Sequence, residues 1–176
     1  MVHPDRATKS PPSAHELLTT YLRDHRAGAA AGLALVRRCR SSNAGTELAD
    51  VLRRIETEII EDTQSLELIM SRFAVTPSRL KIAGAKVGEV VGRLKTNGRL
   101  FTYSPSSRVL ELELLAAGIV TKRSLWRSLN AVVSSHPELV ASELDELDAR
   151  ATAQYETVMQ QHAKAAVLAF SKDSPV

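Results

Sequence analysis

The sequence predicts an all-α four-helix bundle, two helical hairpins joined by a connector as long as the bundle itself. Three observations predict it. Apolar residues recur at spacings of three and four through four long stretches. Short breaks rich in Ser, Asn, Gly and Pro divide the first stretch from the second and the third from the fourth. Between the second and third lies Pro77 to Ser104, which carries an amphipathic pattern of its own. Aromatic residues make up only 4% of the chain, so the core must be built mostly from Leu, Val, Ile and Ala.

Taken in order, residues 1–12 end in Ser10-Pro11-Pro12 and read as a disordered tail. Residues 13–171 read as one helical domain, and 172–176 as a frayed end. Ser13-Ala14-His15-Glu16 has the pattern of a capping box, in which serine and glutamate each take a backbone N–H of the other. Helix 1 follows to about Arg40, with Leu18, Tyr21, Leu22, His25, Ala29, Gly32, Leu33 and Val36 on one stripe. After the stop at Ser41 to Gly45, Thr46 caps helix 2. That helix runs to about Phe73 through Leu48, Val51, Leu52, Ile55, Ile59, Asp62, Leu66 and Ile69. The turn is tight, so the two helices are expected to lie antiparallel.

The connector over 77–104 begins with Thr76-Pro77, a cap followed by proline at a first helical position. Its helical part, about Pro77 to Lys95, would be roughly 28 Å long at 1.5 Å per residue. Gly84, Gly88 and Gly92 recur every fourth residue, a pattern expected to let another helix approach closely. Ser104-Pro105 opens helix 3, expected from about Ser106 to Val133, apolar on nearly all sides and therefore covered from more than one direction. Helix 4 is expected from Glu138 to about Phe170, with Leu144, Leu147, Ala151, Tyr155, Val158, His162, Ala165 and Ala169 in register.

Two antiparallel helices, a bundle-length crossover and two further antiparallel helices make the ferritin-like arrangement. Three stretches sharpen the likeness. They are Leu22-Arg23-Asp24-His25-Arg26-Ala27-Gly28, Asn97-Gly98-Arg99-Leu100, and Glu111-Leu112-Glu113 leading to Leu125-Trp126. Over roughly residues 15–170 the chain resembles a family of uncharacterised bacterial ferritin-like four-helix-bundle proteins. The resemblance implies a fold and no activity.

The iron chemistry of ferritins needs two Glu-x-x-His pairs and two further glutamates, because two metals share bridging carboxylates. Three positions before His15, His25, His136 and His162 stand Pro12, Leu22, Val133 and Met159, and three positions after Glu61 stands Gln64. The di-iron ligand set is absent, so no metal or cofactor is expected. Four ionisable residues nevertheless fall on apolar stripes: His25, Asp62, Lys122 and His162. Helix 1 rises while helices 2 and 3 descend, which puts His25, Asp62 and Lys122 near one height, about 17 Å along the bundle. A buried polar cluster of these three is expected, with Glu113 and His162 as a second pair nearer the opposite end. The ordinary reading of both is a satisfied structural contact.

The remaining signals are weaker. Cys39 is the one cysteine, which excludes an intramolecular disulfide and any CxxC motif. Arg37, Arg38 and Arg40 surround it and could lower its pKa, but a buried or incidental cysteine at a helix end is the expected reading and a redox thiol its alternative. No phosphate loop or hydrolase elbow is present. No run of about 18 apolar residues occurs, and the first residues lack a secretory pattern, so a cytoplasmic location is expected. In the connector, Arg79, Lys81, Lys86, Arg93, Lys95 and Arg99 oppose Glu89 alone, in a chain of net charge +3. A solvated helix face explains that run, and binding of nucleic acid, anionic lipid or an acidic protein is its alternative. The leading expectation is a non-enzymatic bundle acting as a structural or protein-interaction module, self-associating or bound to another protein. A metal-binding bundle with a degenerate site, or a polyanion binder through the connector, is the alternative.

Overall fold

A computed structural model describes residues 11–76 and 104–171 of the chain. The tails 1–10 and 172–176, and the expected connector helix with its glycine row and basic residues, lie outside the described residues. Those described are all-helical. They form α1 (Ala14–Ser42), α2 (Glu47–Arg72), α3 (Pro105–Asn130) and α4 (Ala141–Phe170), with a 3₁₀ turn at Val133–Ser135.

Three of the four helices start where a side chain satisfies a free N–H group of the first turn, whereas α4 starts after Val140 without a side-chain cap. At α1 the capping box is closed. Glu16 N–H donates to Ser13 Oγ at 3.2 Å, and Ser13 N–H donates to Glu16 Oε2 at 2.8 Å. Thr46 accepts from Ala49 N–H before α2, and Ser104 accepts from Ser107 N–H before α3, with Pro105 at the first turn. Gly45, at φ +80°, reverses the chain between α1 and α2. The end of α2 is less usual. Val75 N–H returns to Met70 C=O at 2.9 Å and Ala74 N–H to Ser71 C=O at 3.0 Å. These two bonds are the Schellman closure, which needs a left-handed residue. Ala74 supplies it at φ 54°, a position glycine normally takes.

Helix 3 stops three residues before the expected Val133, and α4 starts three residues after the expected Glu138. The reason is Pro137, which disfavours helical backbone at the residue before it; His136 is extended. The chain fits a 3₁₀ turn in front of that residue and then buries Leu139 as a plug before α4 begins. The expectation that α3 is covered on nearly all sides is also corrected. Leu110 and Val120 lie on an exposed face, whereas Glu111, between apolar neighbours, is 1% exposed.

Cross-helix contacts set the directions. Arg26 pairs with Glu67, and Arg37 and Arg40 with Glu56, so α2 runs antiparallel to α1. Tyr21 reaches Ser128 and Arg38 reaches Glu111, so α3 runs antiparallel to α1 as well. Arg72 grips Glu143 through two hydrogen bonds, and Lys164 reaches Glu47, which sets α4 antiparallel to α2. Helices α2 and α3 therefore point the same way, and Thr76 and Ser104 lie at opposite ends of the bundle. Leu22, Val36, Leu52, Ile69, Leu112, Trp126 and Leu144 are among the side chains that fill the shared core.

Ala74→Gly removes the left-handed strain without touching a packed side chain. The variant should gain about 1 kcal/mol in urea denaturation, less the entropy that glycine returns to the unfolded chain.

Candidate functional site

Asp62 projects from the apolar stripe of α2 and is 2% exposed. A buried carboxylate requires donors on both oxygens, and here they come from two other helices. Oδ1 accepts from Arg150 Nε of α4 at 2.6 Å. Oδ2 accepts from Gln154 Nε2 of α4 at 3.1 Å and from Lys122 Nζ of α3. Lys122 also donates to Gln154 Oε1, so Asp62, Lys122 and Gln154 close a ring of hydrogen bonds. Burial pushes the Lys122 pKa down, and the neighbouring carboxylate opposes that shift. Arg150 extends from Asp62 toward Glu61, 3.7 Å away at the rim. Both oxygens of Asp62 already hold donors, so the cluster works as an interhelical lock.

Sequence reasoning named two of the four residues in this lock. Gln154 and Arg150 were passed over, although Gln154 follows Ala151 by three and precedes Val158 by four, on the buried stripe of α4. Assigning that stripe through Tyr155 and His162 set its phase one residue off; Gln154 and Gln161 are the buried positions. His162 lies at the rim, where its Nε2 meets Glu113 Oε1 at 3.0 Å. Glu113 is 51% exposed, which corrects its assignment to a buried cluster. The buried glutamate of α3 is Glu111, paired with Arg38 of α1 at 2.9 Å.

His25 is half-buried and makes no hydrogen bond to Asp62 or Lys122. Its ring meets Tyr21 edge-on, with centroids 4.5 Å apart. Burial lowers its pKa, and Asp24 opposes the shift. Cys39 is buried. Burial raises its pKa strongly and Glu111 adds to the rise, outweighing Arg38, in keeping with the expected buried cysteine rather than the redox alternative. The anion-binding candidates Arg79, Lys81, Lys86, Arg93, Lys95 and Arg99 lie outside the described residues. Among the described residues no group of three His, Cys, Asp or Glu side chains could hold a metal ion, and no helix is long and apolar enough to cross a membrane.

Beside the lock is a cavity of about 260 Å³ between α1, α2 and α3. Leu35, Ile59, Leu66, Leu115 and Ile119 line it, with Asp62 and Lys122 also on its wall. Gly28 and Gly32 of α1, Gly118 of α3 and His25 also line it, and a Cβ added at any of the three glycines would meet nothing within 4 Å among the described residues. Trp126 lines it too; it is 1% exposed, and its indole N–H has no hydrogen-bond partner among the described residues.

Two measurements check this geometry. Asp62→Leu removes the carboxylate between Lys122 and Arg150, leaving Lys122 with Gln154 alone and Arg150 with Glu61 at the rim, and should cost about 3–5 kcal/mol in chemical denaturation. Lys122→Met leaves Asp62 held by Arg150 and Gln154 and should cost about 1–2 kcal/mol. The double variant should lose less than the sum, with a coupling of about 1 kcal/mol or more. The second measurement concerns acid. Because the His25 pKa is lowered in the fold, the unfolded chain takes up that proton first as pH falls. The stability involved is intact above pH 6.5, the ordinary histidine value, and is lost as pH drops toward the folded pKa. His25→Leu should flatten the fall of the melting temperature below about pH 6.5 relative to wild type.

No protein-family model, curated protein or solved structure matches the chain.

Proposed function

We propose that the chain is a non-enzymatic, ferritin-like helical bundle that acts as a structural or protein-interaction module in the cytoplasm and self-associates. The ferritin-like reading draws support from the helix directions. With α2 and α3 pointing the same way, Thr76 and Ser104 stand at opposite ends of the bundle, as a crossover requires. Residues 77–103 suffice to span the roughly 39 Å of a 26-residue helix such as α3. The non-enzymatic reading draws support from the interior, where Asp62 and Lys122 are committed to each other and to Gln154.

The observation that carries the interaction reading is the C-terminal end of α4. Val167, Leu168 and Phe170 are 63%, 58% and 66% exposed there, with Leu110 of α3 exposed at the same end. Large apolar side chains left in water within one turn of helix are the usual mark of a contact surface. Sedimentation velocity over a range of concentrations tests the proposal. Wild type should form a concentration-dependent oligomer. Leu168→Asp combined with Phe170→Asp should return it to monomer at an unchanged melting temperature. A monomer at every concentration, in wild type and variant alike, overturns the self-association reading.

A further inference from the structure

We draw no further inference here: the strongest candidate, the outward face of α4 that runs from Ala149 to Phe170 and carries Lys164, is continuous with the contact surface already described, and nothing among the described residues shows what covers it, since Lys164 is paired with Glu47 of its own chain.

Discussion

The bundle depends on the requirement that Asp62 never be left without donors. A carboxylate 2% exposed among Ile59, Leu66 and their neighbours would be prohibitive alone. Its donors stand on α3 and α4, so the charge is tolerated only when three helices share one register. Sliding α2 by one turn, about 5.4 Å, would strand the carboxylate from Lys122, Gln154 and Arg150 together. Apolar packing alone discriminates weakly between such registers, because Leu, Ile and Val along these stripes can exchange places at modest cost. The lock contributes uniqueness where the core contributes most of the stability, a division of roles known for buried polar groups in other helical assemblies.

The rim works differently. Arg26–Glu67, Arg37–Glu56 and Arg127–Asp148 each join neighbouring helices, but with at least one partner substantially exposed. Such pairs are worth little individually because water screens them and the long side chains lose freedom. Their consistent arrangement matters more. Each links residues that an antiparallel neighbour brings together, and none would survive a parallel one. Arg38–Glu111 is intermediate, since the glutamate is 1% exposed while the arginine stays partly in water. It ties the end of α1 to the start of α3, and the same carboxylate helps hold the Cys39 thiol in its protonated form.

The legibility of this structure divides along physical lines. Helix existence was readable from the three-and-four spacing, and starts at Ser13, Thr46 and Ser104 were readable from cap chemistry, because both signals are local. Ends were harder. Ala74 in a left-handed Schellman position carries no sequence signature, since glycine would be expected there. Pro137 marked a break but not how far the chain needed on either side to turn. In the site, Asp62 and Lys122 stood out because charges interrupt apolar stripes. Gln154 did not, because an uncharged amide among Ala, Tyr and Val reads as a surface residue until its partners are known. The same blindness promoted Glu113 over Glu111. One helical position separates inside from outside, and the Leu-Glu-Leu-Glu-Leu run of α3 offers both phases equally.

What the interior permits follows from how its polar groups are distributed. On the side of α4 they are saturated: Gln154 fills the gap between Asp62 and Lys122, and Arg150 closes the outer oxygen. On the side facing α1 no residue among those described plays that part. Glycines replace bulk, His25 turns its ring against Tyr21, and the Trp126 N–H lacks a described partner. A helical bundle under selection for stability alone would fill that side, since three alanines in place of Gly28, Gly32 and Gly118 would each favour the helix by about 1 kcal/mol. The two halves of the interior therefore answer to different demands. The half beside α4 fixes register through its polar contacts, and the half beside α1 is lined mostly by glycine and aliphatic side chains.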